Sequence, residues 1–339
     1  MTPLPNVDIS FSRLHHIVTG PLKAAVLNCA LDLALFDSLR RPETAETVAT
    51  ALNLHPGNTS RLMDALVTLD LLEKNKGYYK NSLLAQTFLV TTSPACIGPL
   101  LKQTQNPALN PLDALPGLVT SGPPANDAVP DMADETLWAE EVTSSAGWVF
   151  GGTGSLVADA VQALDGFSSF TRFLDMGCGH GAFSLYILER HPDLHAVLMD
   201  RTPVLDAAMP LMERFQARQR ISRLDRDYIT DDLESGYDLI FASATLNFAR
   251  NCLPDLVRKI HGSLSPGGYF VSFQDGMTHE RTKPDTMLGA VIPAMMMDSD
   301  YCFNQGEIAR TALECEFRWV RSSTVSTPIG PMDLDISLK

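Results

Sequence analysis

Phe173-Leu-Asp-Met-Gly-Cys-Gly-His-Gly181 is the stretch on which the fold of this chain turns. Phe173 and Leu174 close a short apolar run. Glycines then take every second position, Gly177, Gly179 and Gly181, and Ala182-Phe-Ser-Leu-Tyr-Ile-Leu-Glu-Arg190 follows with the make-up of a buried helix. A strand that feeds a glycine-rich turn and opens a helix is the ligand cradle of doubly wound α/β folds. Glycine lets the backbone turn tightly and lets a ligand approach without meeting a Cβ. The first turn of the helix offers unpaired N–H groups.

The flanks narrow the ligand. Ala196-Val-Leu-Met-Asp200 reads as a second buried strand, and its terminal carboxylate lies about twenty residues beyond the glycines, where an acid accepts hydrogen bonds from ribose hydroxyls. The other reading of Asp200 is a cap for a helix beginning near Pro203. The glycine spacing departs from the dinucleotide fingerprint, because Gly181 follows Gly179 too closely. Asp175 adds a negative charge that repels a pyrophosphate and favours a cationic sulfonium or ammonium. The ligand implied is adenosyl, ribose-bearing and free of phosphate, which disfavours NAD.

At this point the chain resembles the class I S-adenosylmethionine (SAM) dependent methyltransferases. Asp175 to Gly181 is similar to their first motif. Further matches follow in order at Asp200, Asp227-Tyr228, Tyr237-Asp-Leu-Ile-Phe-Ala-Ser243 and Leu264-Ser-Pro-Gly-Gly268. With the N-terminal half, described below, the resemblance is to the small-molecule O-methyltransferases of plant and bacterial secondary metabolism, over nearly the whole chain. It implies an α/β fold. A Rossmann-like domain with a mostly parallel sheet and a C-terminal antiparallel hairpin is preceded by a mainly α winged-helix dimerisation domain. It implies SAM as cofactor, S-adenosylhomocysteine (SAH) as product, and no metal. The expected cofactor contacts are Asp175, Gly177, Gly179, Gly181, Asp200, Arg201, Asp227, Tyr228 and Ser243. By resemblance Asp227 meets the adenine amino group and Tyr228 packs on the ring; read without it, Asp227 is one loop acid among Asp225, Asp231 and Asp232.

A chain of 339 residues, 45% apolar, is comfortable for two domains. The expected division is a winged-helix dimerisation domain over 1–104, a loop and helical linker lining the site over 105–165, and the SAM-binding catalytic domain over 166–339. A net charge of −14 opposes non-specific contact with nucleic acid or an anionic membrane. Six scattered cysteines without CxxC or metal spacing read as reduced cytosolic thiols. The start of the chain has no apolar signal core, and the longest apolar stretch, 24–36, is broken by Asn28 and Asp32, so neither secretion nor a membrane span is expected.

In the N-terminal half, apolar positions at helical spacing run from Phe11 to Leu35 on more than one face. Two short amphipathic helices over 44–52 and 59–69, then a hairpin over 72–80 turning at Asn75 to Gly77, make a winged helix-turn-helix. Such a module binds DNA or another protein. The helix that would serve for recognition, over 59–69, offers only Arg61 as a base, with Asp64 a turn further on, so the homodimer implied by the resemblance is favoured.

The chemistry is less fully specified. By resemblance a histidine follows the fourth strand and removes the acceptor's proton, but Ser243-Ala-Thr-Leu-Asn-Phe248 places Asn247 there. An amide orients a substrate; it is no general base near neutrality. Three readings stay open. The nucleophile needs no strong base, as with a thiolate, carboxylate, amine or activated carbon; another residue, Asp275, His279, His15 or His16, supplies the base; or SAM is bound without methylation by the family's route. His180, inside the glycine turn, reads as solvated. Trp148, Phe150, Phe248, Met295, Met296 and Tyr301 are the candidates to line the acceptor pocket, each with an ordinary core reading beside it. The expectation is a cytoplasmic, homodimeric SAM-dependent methyltransferase of a small molecule, O-methyltransferase-like. The alternatives are S-, N- or C-methylation, or a winged-helix regulator with a SAM-sensing domain.

Overall fold

The computed structural model describes residues 8–106, 110–124, 135–299 and 302–339. Two compact units emerge, Met1–Gly98 and Pro99–Lys339.

The first unit begins with α1 (Ser12–Asp32) and continues through β1 (Glu43–Thr44), α2 (Ala45–Ala51), α3 (Pro56–Thr68), β2 (Leu72–Asn75), β3 (Tyr78–Asn81) and α4 (Leu83–Phe88). Both middle helices start on side-chain caps. Thr44 Oγ1 accepts from Thr47 N at 3.2 Å, and His55 Nδ1 accepts from Asn58 N at 3.2 Å. The strands pair in the order β1-β3-β2. Asp64 on α3 accepts from Lys74 Nζ (2.5 Å) and Tyr79 OH (2.8 Å), which pins the hairpin to the helix. These are the helices and hairpin of a winged helix. α1 buries only Ala30 within this unit. Ile9, Phe11, Leu14, Ile17, Val18 and Leu22 are 64% to 83% exposed.

α5 (Gly98–Thr104) starts at the last residue of the first unit and leads into the second, where α6 (Leu115–Ser121) follows. The first part of the linker expected over 105–165 therefore carries a helix. Pro116 sits in its first turn, where its missing N–H costs nothing, and Gly122 (φ 81°) closes it. α7 (Glu135–Trp148) runs through a wide π-type turn at Val149–Thr153 into α8 (Gly154–Gln162). Alternation follows: β4 (Arg172–Met176), α9 (Ala182–Glu189), β5 (His195–Asp200), α10 (Thr202–Met212), β6 (Ile221–Asp225), β7 (Tyr237–Ser243), α11 (Leu253–Ser263) and β8 (Leu264–Gln274). α12 (Leu288–Met297), α13 (Glu307–Glu314), β9 (Trp319–Thr327) and β10 (Gly330–Leu338) complete the unit. The helix expected to begin near Pro203 is α10, and it is short. Pro210 lies in its last turn and lacks the N–H that would bond back along the helix.

The strands form one seven-stranded sheet, order β6-β5-β4-β7-β8-β10-β9. β6 through β8 are parallel, and β10 and β9 add the antiparallel hairpin. Successive residues face opposite sides, and both sides are covered, which is why these strands read as continuous apolar runs. Phe173, Leu239, Phe241, Val271 and Phe273 pack with residues of α8 and α9 in one core. Leu174, Met176, Ile240 and Phe270 pack with residues of α11 and α13 in the other. Strand order reverses between β4 and β7, so a crevice opens at their carboxyl ends, where ligands sit in such sheets.

Candidate active site

A cavity of about 440 Å³ occupies that crevice, within the roughly 300–1,000 Å³ of small-molecule sites. Its floor is the glycine turn. All three glycines have positive φ (65°, 51° and 64°), but they serve different ends. A Cβ on Gly177 would lie 2.4 Å from Thr245 Cγ2, so this glycine admits the chain's own threonine. A Cβ on Gly181 would press on Leu198 and Met212, and Gly181 does not line the cavity. A Cβ on Gly179 would meet nothing within 4 Å; this is the glycine whose missing side chain leaves room for a ligand.

Asp200 ends β5 with both carboxylate oxygens engaged. Oδ2 accepts from Gly179 N and Oδ1 from Arg201 N, each at 2.9 Å. These bonds aim the carboxylate across the turn and leave lone pairs for ribose hydroxyls. Burial raises its pKa despite them. Asp175 is 3% exposed, and its Oδ2 accepts from Ser184 Oγ at 2.6 Å. Burial pushes it up to about 7, the serine opposes that, and the Asp200 charge adds to it. Asp227 Oδ1 accepts from Ile229 N at 2.8 Å, a turn that presents residues 227–229 to the cavity. Lys259 on α11 secures the same turn by donating to the carbonyls of Tyr228, Ile229 and Asp231 at 3.0, 2.9 and 2.7 Å. Tyr228 donates from its hydroxyl to Thr245 O at 3.2 Å. Arg201, Arg226 and Ser243 also border the space. Backbone amides, the Asp200 carboxylate at a strand end, a side chain's worth of open space at Gly179 and the buried acid Asp175 suit an adenosyl ligand such as SAM.

The opposite end is apolar. One face of α7 supplies Trp138, Val142, Ser145 and Trp148 at helical spacing, joined by Phe183 and Phe248. Trp138 meets Phe248 edge-on at 4.9 Å, and Trp148 meets Phe183 edge-on at 5.5 Å. His180 lies between the two ends and corrects the solvated reading. It is 8% exposed and lines the cavity. Its Nδ1 accepts from Ala182 N at 3.1 Å, so the neutral ring carries its proton on Nε2. Burial depresses its pKa to about 4.

Several expected residues stand elsewhere. Phe150 stacks on Phe215 and leans on Tyr186, outside the lining, because residues two apart on a helical run point to opposite sides. Met295 and Met296 lie on α12 and do not line the cavity. Tyr301 falls outside the described residues. Asn247 follows β7 without lining the cavity, and its Oδ1 is buried without a hydrogen-bond partner. Asp275 does not line it either; burial raises its pKa. His279 is exposed, and His15 and His16 are exposed on α1. Trp138, Ser145, Phe183, Thr245, Ser184, Lys259 and the buried state of His180 were not foreseen. The spacing of 138, 142, 145 and 148 marks one helix face and was the available signal for the first two.

The fold and this cavity define a SAM-dependent methyltransferase of the Rossmann-like class. Comparison with known proteins agrees. The family described as "O-methyltransferase dimerisation domain" matches residues 15–91, and "Methyltransferase domain" matches residues 174–270. The chain belongs to the SAM-dependent small-molecule O-methyltransferase family. It is similar to N,N-dimethyltransferase OxyT of Streptomyces rimosus, at 27% identity over 83% of each chain. It is also similar to the tetracenomycin polyketide synthesis 8-O-methyl transferase TcmO of Streptomyces glaucescens, at 23% identity over 88% of this chain and 89% of that one. Human N-acetylserotonin methyltransferase in complex with SAM shares the fold, with a TM-score of 0.80 over 99% of each chain at 20% identity.

Proposed function

We propose that this enzyme transfers the methyl group of SAM to a hydroxyl of a small, flat aromatic acceptor, without a histidine base. The observation that carries this is the acceptor end of the cavity: an aromatic wall of Trp138, Trp148, Phe183 and Phe248 with a neutral, proton-donating His180 beside it. Bound SAM supplies an electrophilic methyl already activated by the sulfonium charge. Asp200, Asp227 and Tyr228 hold the adenosyl group, and Asp175 faces the methionyl ammonium. The aromatic wall seats the acceptor and excludes water. Catalysis is then mainly proximity and orientation.

A positioned base contributes about 10²–10⁴-fold. His180 is not that base: its Nδ1 already accepts from Ala182 N, and its Nε2 bears the proton of the neutral ring. It can donate to an acceptor oxygen and so favour its ionised form. The acceptor is therefore a phenol made acidic by a neighbouring carbonyl or an extended ring system. Relatives named for O-methylation of a polyketide and of a hydroxynaphthoate support this class. Mass spectrometry after incubation with SAM tests it. Acidic phenols should gain one methyl group faster than simple phenols, aromatic amines or thiols. Methylation of amines or thiols alone would overturn the hydroxyl reading.

The same proposal includes a cytoplasmic homodimer formed through the N-terminal unit. α1 displays Leu14, Ile17, Val18 and Leu22 to solvent in a single chain, and a matched dimerisation family covers them in part. A stable partner would bury upwards of about 2,000 Å². Light scattering should report a dimer for the wild type and a monomer for Leu14→Asp with Ile17→Asp. A wild-type monomer would defeat it.

A further inference from the structure

The cavity wall between the two ends hangs on the turn that follows β7. Ala244 adopts a left-handed conformation (φ 50°), unusual for a residue with a Cβ. Thr245 and Leu246 open a helical turn, so their N–H groups find no partner within it. Gln274, the last residue of β8, is 3% exposed and reaches this turn. With its amide oriented to satisfy its neighbours, the side-chain oxygen accepts from Thr245 N at 2.9 Å and Leu246 N at 3.0 Å, and shares Ala244 N (3.2 Å) with Phe273 O (3.0 Å). The reverse orientation would aim the NH₂ group at three donors.

The turn in turn fixes both motifs of the cofactor site. Thr245 Oγ1 lies 3.2 Å from Gly177 O and 2.9 Å from Ser243 O, and its methyl fills the space that Gly177 leaves. Thr245 O accepts from Tyr228 OH. Ala244, Thr245 and Phe248 all line the cavity. We propose that Gln274 is a positioning residue: its buried amide oxygen gathers three backbone amides of the Ala244–Leu246 turn and so sets the wall against which cofactor and acceptor lie. Asp333 stands opposite Gln274 in the β8–β10 register and Asp275 follows it. The neutral amide adds no charge to those acids, and the buried carboxyl of Gln274→Glu would be held protonated by them, keeping an oxygen that accepts from the turn.

The inference rests on the cavity's being the SAM site, and the experiment separates the two. Hydrogen exchange in the unliganded wild-type protein should show the Thr245 and Leu246 amides strongly protected. Calorimetry with SAH should then find Gln274→Leu weaker by about tenfold or more, since buried donors lose their acceptor, with Gln274→Glu within about threefold of wild type. Ile336→Val, a buried change on β10 away from the cavity, should lower the melting temperature and leave SAH affinity alone. Fast exchange at Thr245 and Leu246 in the wild type overturns the proposal. So does Gln274→Leu binding SAH like wild type, or Gln274→Glu failing as badly as leucine. If the leucine variant does not fold, exchange and the glutamate variant still decide. A wild type that shows the protection but binds no SAH would refute the SAM site and leave the role of Gln274 in holding the turn standing.

Discussion

The two ends of the cavity are built by different means. The cofactor end is made by consecutive strand–turn segments of one sheet. Gly179 N to Asp200 Oδ2 is a hydrogen bond between neighbouring strand ends, and Asp227 belongs to the turn after the next strand. Its geometry is set by backbone conformation. The acceptor end is made by side chains from a helix outside the sheet and from the turn after β7, and Trp138 touches Phe248 only because the chain folds them together. A backbone-built site tolerates little change and holds one ligand. A side-chain-built wall can be altered residue by residue, which is how members of one family come to accept different molecules.

The contrast is tested hardest at Gly177. Gly177→Val needs a left-handed φ of 65° and places Cβ where Thr245 Cγ2 lies 2.4 Å away. Strain of about 1–3 kcal/mol and overpacking of about 1–3 kcal/mol should together abolish measurable SAH binding and lower the melting temperature. Retention of SAH affinity would show that the turn is not the rigid part. Asp200→Ala is the next largest. It unpairs the Gly179 and Arg201 amides as well as the ribose hydroxyls, and should weaken SAH in calorimetry by about 1–3 kcal/mol. At the other end, Trp138→Ala and Phe248→Ala should each lower kcat/KM for the acceptor while SAH affinity stays at the wild-type level. Their double-mutant cycle should show coupling of about 0.5–1.5 kcal/mol, the worth of an edge-on aromatic pair. Loss of SAH binding in either single variant would mean that the ends are not separable.

The same difference in construction governs what could be read from the sequence. That Asp175, Gly177, Gly179, Asp200 and Asp227-Tyr228 border one cavity was legible because local order puts them at adjacent strand ends; Gly181, expected with them, packs on Leu198 and Met212 instead. The alternating sheet and the terminal hairpin were legible because both faces of the strands are buried. The acceptor wall was mostly not. Phe150 and Trp148 are two residues apart on a helical run, so they point to opposite sides, Phe150 against Phe215 and Trp148 to the cavity. Nothing local in the methionine run of α12 shows that it stays outside the cavity lining. His180 misled in the opposite sense: a histidine in a glycine turn looks exposed until α9 and Phe183 close over it.

The smallest effect separates the ends by pH. Asp175 has its pKa raised from 3.8 to about 7 by burial, whereas His180 is depressed to about 4. Between 3.8 and about 7 the folded, unliganded chain keeps a proton on Asp175 that the unfolded chain has released. That group's contribution to stability is therefore full below 3.8 and is lost as pH rises through about 7. SAH affinity should run the other way. The methionyl ammonium is best met by an ionised Asp175, so binding should release a proton and tighten a few-fold from about pH 6 to about pH 8. Asp175→Asn keeps an acceptor for Ser184 Oγ and should flatten both trends, as calorimetry and thermal unfolding across pH would report. The acceptor end should be silent over the same range. With SAM saturating, turnover of an acceptor that is fully ionised throughout should show no limb near the ordinary histidine pKa of 6.5, because His180 stays neutral. A limb there that vanishes in His180→Gln would mean that the ring gives up its bond to Ala182 and takes a proton during turnover. The acceptor end would then have a base after all, and the division between a titrating cofactor end and a non-titrating acceptor wall would fall.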